Sequence, residues 1–144
     1  MIVLDTNIIS ENFRPRPHAA VIAWLNEQPV ASLYLCTPVL AELRFGIERL
    51  DAGRRRDDLQ LRVDKIEHAY FDDRLLVLDA KAAAEFGRVT VKRQKVGRRI
   101  EPMDALIAAI AISHGATLAT RDTDDFSGLG LELINPFDLG AEGG

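Results

Sequence analysis

Four acidic residues that are far apart in the sequence stand where the predicted elements would bring them together. Asp5 and Asp122 each follow a short apolar segment that predicts a buried strand. Glu42 lies in the second turn of a predicted helix, and Asp104 lies in the first turn of another. In an open α/β sheet, ligands bind at the edge where the parallel strands end, and the following helices start along the same edge. The sequence therefore predicts four carboxylates at one edge of a sheet.

Such a cluster needs positive charge, because neighbouring carboxylates cannot all stay ionised without cations. No lysine or arginine occupies a matching position at a strand end, apart from Arg121, which alternation directs away from Asp122. Oxygen ligands suit Mg²⁺ or Mn²⁺, whereas His18, His68 and His114 are too dispersed for a zinc site. A divalent metal can activate water and offset charge on a leaving oxygen. The cluster therefore predicts phosphodiester hydrolysis.

The segment around Asp104 gives the clearest evidence that an acid points inward. Residues 105–112 are eight consecutive apolar residues, which predicts a helix that is apolar on all sides and buried. Pro102 suits the first helical position, and Gly115 suits the residue just past the end. On the helical period of about 3.6 residues, Asp104 shares a face with apolar residues of this helix. An ionised carboxylate on such a face is costly unless a positive group meets it.

The remaining sequence predicts alternating strands and helices. Predicted strands cover residues 2–4, 31–36, 75–78, 117–120 and 131–134, and predicted helices follow Asp5 and cover residues 18–27, 38–50, 54–70 and 80–95, with Thr37 and Asp79 as N-caps. This order predicts a single domain, residues 1–144, built on an open, mostly parallel, twisted α/β sheet of about five strands flanked by helices. We expect the glycine-rich C-terminal end to be disordered.

Composition narrows the class of protein. The net charge of −4, from 18 basic and 22 acidic residues, argues against a simple basic nucleic-acid binder. If four acids occupy one metal pocket, however, the remaining charges balance at 18 against 18, so an anionic substrate is not excluded. No apolar run is long enough for a membrane span, and no signal peptide is evident. The single cysteine, Cys36, is interpreted as a core residue and fits the cytoplasm.

At this point four segments resemble a known family. They are Val3-Leu4-Asp5-Thr6-Asn7, Thr37 to Leu43 (TPVLAEL), Pro102 to Ala109 (PMDALIAA), and Ala119 to Asp122 continuing through Asp125-Phe126. In this order they resemble the PIN-domain ribonucleases, and in particular the VapC/FitB-like toxin subunits of bacterial toxin–antitoxin pairs. The resemblance covers nearly the whole chain, and four dispersed motifs make it specific.

The resemblance implies Mg²⁺- or Mn²⁺-dependent endonucleolytic cleavage of RNA, a homodimer, and inhibition by a small antitoxin. Many relatives carry Asn where Asp122 stands, which leaves open whether Asp122, Asp124 or Asp125 is the nearest fourth ligand. The matched positions are Asp5, Glu42, Asp104 and Asp122 for the acidic metal ligands, and Thr6, Asn7, Thr120 and Asp125 for supporting groups. The basic run that precedes Asp104 is a separate observation: a charge run is most often only a solvated helix face. Its closeness to Asp104 in sequence favours an RNA-contacting role, which we assign to Arg88, Lys92, Arg93, Arg98 and Arg99.

Each acid also has an ordinary structural interpretation. Asp5 and Asp79 could serve only as helix caps, and Asp122 could be an ordinary turn residue. Glu42, on the flank of an apolar stripe, could be a solvated surface residue, and Asp104 could merely favour the helix dipole. We interpret Asp79 as a cap. The shared edge of the other four acids favours the metal-nuclease interpretation.

Other functions with an acidic pocket fit the sequence less well. Haloacid-dehalogenase-like phosphatases need a second acid two residues after the first, where Asn7 stands. A phospho-receiver domain needs a paired acid and a late lysine, and a phosphate-binding P-loop motif is missing. The alternative that stays open is a non-catalytic, metal-binding interaction module of the same fold.

Overall fold

The computed structural model describes residues 1–139, so the predicted C-terminal disorder concerns residues outside the described part of the chain. The sheet has five strands in the order β3-β2-β1-β4-β5, and every pair is parallel. The strands are β1 (Ile2–Leu4), β2 (Leu33–Cys36), β3 (Leu75–Leu76), β4 (Thr117–Ala119) and β5 (Leu133–Ile134). The predicted open α/β sheet is confirmed, and it is parallel throughout the described residues.

Helices connect the strands. They are α1 (Thr6–Glu11), α2 (Ala19–Glu27), α3 (Thr37–Glu48), α4 (Arg54–Lys65), α5 (Ala80–Lys95), α6 (Pro102–Ser113) and α7 (Pro136–Leu139). Two short 3-10 segments, Val30–Ser32 and Thr123–Phe126, and a π-helical turn, Ile66–Tyr70, complete the elements. None of the helices in residues 1–139 is long and apolar enough to cross a membrane.

The core explains why the short central strands hold their places. Val3 and Leu4 are adjacent in β1 and both are buried, so both faces of the sheet are covered, because successive side chains point to opposite faces. α6 is buried along most of its length, with Ile107 and Ala108 fully inaccessible. α5 packs against α6. Cys36 is buried at the end of β2, as predicted.

Several predicted boundaries move for local reasons. Thr37 is the first residue of α3 rather than its N-cap: Cys36 holds the cap position without a side-chain hydrogen bond. β3 stops at Leu76 because its partner β2 ends at Cys36, where α3 begins. The strand predicted at 31–36 starts later because a 3-10 turn precedes it, and α7 was not predicted.

Gly115 ends α6 in a conformation that favours glycine. Its φ is 62°, and the amides of Gly115 and Ala116 donate to the carbonyls of Ile112 and Ala111 at 3.0 and 2.9 Å. This pair of bonds is the Schellman pattern, which places a residue in the left-handed region just past the helix.

Alanine substitutions at two glycines should therefore have opposite effects. Gly115→Ala should lower stability by about 1 kcal/mol, because a Cβ disfavours positive φ. Gly87→Ala, inside α5 with nothing within 4 Å of the new Cβ, should raise stability by about 0.5–1 kcal/mol. Thermal unfolding should show shifts of roughly 2–4 °C in opposite directions. A Gly115→Ala variant as stable as the wild type would contradict the assigned helix end.

Candidate active site

The centre of the site is the carboxylate of Asp5, at the end of β1. Asp5 is 5% exposed and caps α1, with Oδ1 accepting from the Thr6 amide at 2.8 Å. Its Oδ2 accepts from the hydroxyl of the fully buried Thr120 at 2.7 Å. β1 and β4 are neighbours with Leu4 opposite Ala119, so the residues that follow these two strands meet directly. A buried carboxylate with both oxygens hydrogen-bonded has a fixed orientation.

Asn7 and Thr120 connect Asp5 to Asp122. The Asn7 Nδ2 donates to Asp122 Oδ2 at 3.0 Å and lies 3.5 Å from Asp5 Oδ2. The Asn7 Oδ1 accepts from the Arg121 amide at 3.1 Å, and the Asp122 amide donates to Thr120 Oγ1 at 3.0 Å. Asp122 is therefore the acid of its turn that these bonds join to the buried centre, whereas Asp124 and Asp125 lie farther along the chain.

Glu42 joins the site through α1. The Thr6 hydroxyl donates to Glu42 Oε1 at 2.8 Å, and the glutamate side chain is half-buried in α3. The interpretation of Glu42 as a freely solvated surface residue is therefore wrong. Thr6 and Thr120 each donate a hydroxyl proton to a carboxylate, and their role as supporting residues of a metal site stays a prediction.

Asp104 enters from the first turn of α6, and its surroundings oppose its ionisation. Burial raises the pKa of Asp104 from 3.8 to about 7, with further contributions from the negative charges of Asp5, Asp125, Glu42 and Asp122. Burial also raises the pKa of Asp5; hydrogen bonds from Thr120 and Thr6 act in the opposite direction, and the charges of Glu42 and Asp122 add to the rise. The acids predicted from sequence therefore act on one another.

This negative charge is not neutralised by neighbouring side chains. Within residues 1–139, the ion pairs of lysine, arginine and histidine involve other acids and none of the four described above. Carboxylate oxygens are the donors that Mg²⁺ and Mn²⁺ prefer, so the chemistry of the donor set fits such a cation.

The carboxylate oxygens have the right chemistry for a divalent cation, but their positions are not yet those of metal ligands. In the described part of the chain, no group of three or more His, Cys, Asp or Glu side chains is arranged so that it could hold a metal ion as it stands. The hydroxyl and amide donors of Thr6, Asn7 and Thr120 instead contact three of the carboxylates. The predicted metal ligands therefore stay a prediction, and cation binding would require side-chain adjustment.

The predicted basic surface divides into two groups. Arg93 is 3% exposed, and its Nη2 donates to the carbonyls of Asp125 and Ser127 at 2.5 and 2.9 Å. The predicted RNA contact of Arg93 is wrong, because its guanidinium is buried against the protein's own backbone. The sequence contained a signal for this, since Arg93 follows Val89 by four residues on the buried face of α5.

The other members of that surface are exposed. Arg98 donates to the Asp124 carbonyl at 2.5 Å and to the Ser127 hydroxyl at 2.9 Å, so it also contacts the turn after β4. Arg88 contacts Glu85. Arg88, Lys92 and Arg99 are exposed, and their contact with RNA stays a prediction. Asp79 caps α5 by accepting from the Ala82 amide at 2.9 Å, as interpreted.

Asp104→Asn should stabilise the metal-free protein at alkaline pH. Because the folded-state pKa of Asp104 is raised from 3.8 to about 7, its favourable contribution is complete below pH 3.8 and is lost as the pH rises through 7. In EDTA, the variant should melt a few degrees above the wild type at pH 8, with a smaller difference at pH 5. Asp79→Asn, which keeps a capping side chain, is the control. A lower melting temperature for Asp104→Asn than for the wild type at pH 8 would contradict this prediction and would indicate that the Asp104 carboxylate stabilises the fold as a hydrogen-bond acceptor.

Comparison with known proteins shows which family this chain resembles. The PIN domain family model matches residues 2–130. The chain is 40% identical over 138 residues to "VapC ribonuclease Y4jK" of Sinorhizobium fredii, covering 96% of this chain and 99% of that protein. It is 36% identical over 137 residues to "Toxin FitB" of Neisseria gonorrhoeae, covering 95% and 99%.

The fold is similar as well. The crystal structure of FitAcB from Neisseria gonorrhoeae superposes with a TM-score of 0.89 at 36% identity, covering 95% of this chain and 99% of that chain. Since the family model spans the strands β1 to β4 and all four acids, this chain belongs to the PIN-domain family.

Proposed function

We propose that this chain is a divalent-metal-dependent endoribonuclease toxin that hydrolyses phosphodiester bonds in RNA and is held inactive by a cognate antitoxin. The observation that carries the proposal is the cluster at the end of β1 and β4, where Asp5 is linked to Asp122 and the pKa of the nearby Asp104 is raised to about 7. Relatives named as a VapC ribonuclease and as a toxin support the activity and the biological class.

In this proposal, Asp5, Glu42, Asp104 and Asp122 hold Mg²⁺ or Mn²⁺. When bound, the cation would supply an activated water and would offset charge on the leaving oxygen. Their unneutralised charge supports the assignment, because burial raises the pKa of Asp104 first and repulsion from neighbouring acids adds to it, and a cation would relieve that repulsion. Asp125 contributes negative charge beside Asp104.

The polar residues around these acids orient them. Thr120 and the Thr6 amide fix the two oxygens of Asp5, and the Thr6 hydroxyl fixes Glu42. Asn7 holds Asp122. Supporting contacts of this kind set the direction of the metal ligands, and their loss commonly lowers metal affinity about 10–100-fold. Hydrolysis by this arrangement needs no covalent intermediate on the protein.

The partners belong to the proposal as well. A solved structure that is 26% identical is described as a member of the VapBC family of toxin-antitoxin systems, which supports an antitoxin partner. The small size and inhibitory role of the antitoxin, the RNA substrate and a cytoplasmic location are proposed from the resemblance. A homodimer is proposed from the resemblance. Val91 and Val96, on and just after α5, are 46% and 70% exposed and offer apolar surface for such a contact.

Asp5→Asn and Asp79→Asn form a matched pair for testing the activity. Both aspartates follow a strand and cap a helix through a backbone amide, and asparagine preserves that cap. Only Asp5 lies in the acidic cluster. Asp5→Asn should reduce Mg²⁺-dependent cleavage of a panel of RNA hairpins on the order of 100-fold or more, while Asp79→Asn should cleave like the wild type.

Binding and cleavage are measured together so that the alternative is tested too. Mn²⁺ titration calorimetry should give binding to the wild type and to Asp79→Asn, with weaker binding to Asp5→Asn. Wild-type Mn²⁺ binding without cleavage of any RNA in the panel would favour the non-catalytic interaction module. If both variants cleave RNA equally well, Asp5 has no part in the reaction, and the proposed site is wrong.

A further inference from the structure

The turn that follows β4 carries three acids but is too short to be stable by itself. Residues 122–127, called here the acidic turn, contain Asp122, Asp124 and Asp125, all exposed, around the 3-10 segment Thr123–Phe126. Phe126 is 1% exposed and anchors the turn in the core. Short 3-10 segments have poor hydrogen-bond geometry, so the position of the three acids depends on contacts from outside the turn.

Arg93 supplies such a contact. It lies on the buried face of α5, which packs against α6, and α6 contacts the acidic turn. Its guanidinium donates from one nitrogen to the carbonyls of Asp125 and Ser127, at 2.5 and 2.9 Å. These two carbonyls lie on either side of the buried Phe126. An arginine that reaches two carbonyls in this way fixes the direction of the backbone between them.

The contact with carbonyls has a consequence for the carboxylates. In the described part of the chain, Arg93 forms no ion pair with Asp122 or Asp125. The carboxylates of both acids therefore stay free of a salt bridge with Arg93. Arg98 contacts the same turn through the Asp124 carbonyl and the Ser127 hydroxyl. The two arginines therefore hold the turn by its backbone and leave its carboxylates available.

The charge of Arg93 also reaches the site. Burial lowers the pKa of Arg93, and the neighbouring charge of Arg98 lowers it further, whereas the negative charges of Asp125 and Asp104 favour its protonated form. A guanidinium stays charged under these conditions because its ordinary pKa is very high. Arg93 is thus a buried positive charge that acts on the acids of the site without pairing with one.

We propose that Arg93 is a positioning residue of the acidic site: it holds the acidic turn so that the carboxylates of Asp122 and Asp125 are presented toward Asp104 and a divalent cation. This inference rests on the proposed function, since it assigns Arg93 a part in the proposed cation binding. It also makes a separate statement about the metal-free protein, in which Arg93 determines the order of residues 122–127.

Three variants test the role of Arg93. Arg93→Met removes the guanidinium but keeps an apolar stem, Arg93→Lys keeps the charge without the planar fork, and Lys92→Met removes the charge of an exposed neighbour on the same helix. Hydrogen exchange in EDTA should become faster in residues 122–127 of Arg93→Met. Calorimetry should show Mn²⁺ binding about 10–100-fold weaker than in the wild type. Arg93→Lys should fall between, and Lys92→Met should match the wild type.

The outcomes separate this inference from the proposed function. If the wild type binds Mn²⁺ and Arg93→Met binds it equally well, Arg93 is only structural and the inference fails alone. If the wild type binds no Mn²⁺, the proposed function fails, and the inference fails with it. Should Arg93→Met not fold, Arg93→Lys decides by the same two measurements. Unchanged exchange in residues 122–127 of the folded Arg93 variant would also overturn the proposal.

Discussion

The burial and mutual repulsion of carboxylates at one edge of the sheet are the constraint on which the candidate site depends. Asp5, Glu42, Asp104 and Asp122 act on one another, and the described ion pairs include none of them. Uncharged donors hold three of them instead: the hydroxyls of Thr6 and Thr120 hold Glu42 and Asp5, and the side-chain amide of Asn7 holds Asp122. Such donors fix the direction of a carboxylate without cancelling its charge, so the site stays attractive to a cation.

The order of the strands creates the place where this happens. The chain builds β1, β2 and β3 outward in one direction and then adds β4 and β5 on the other side of β1. The direction therefore reverses between β1 and β4, and ligand sites of open α/β sheets lie at such a reversal. Asp5 and Thr120 follow these two strands in register, which is why their side chains meet at 2.7 Å.

Features that depend on local sequence pattern could be predicted from the sequence. Predictions were wrong where contacts with other elements of the fold determine the structure. The apolar run of α6 and its inward-facing Asp104 follow from helical periodicity and were predicted. β3 was predicted too long, because its length is set by where β2 ends, and no local signal contains that. The prediction for Arg93 is wrong because the run of cations does not form one surface: the spacing of Arg93 from Val89 places it on the buried face of the helix. The hydrogen bonds among Asn7, Thr120 and Asp122 could not be predicted, because they depend on the register between β1 and β4, which are distant in sequence.

Crowding also connects the stability of this protein to its proposed chemistry. Each carboxylate oxygen has two lone pairs, so Asp5 Oδ1, which accepts from the Thr6 amide, has room for a further partner. If a cation binds as proposed, it would relieve the repulsion that weakens the metal-free fold, and the relieved free energy would add to the affinity for that cation. The turn held by Arg93 and the apolar helix under Asp104 keep the acids from moving apart. A loosely held cluster would lose its repulsion by separating, and it would then bind a cation more weakly.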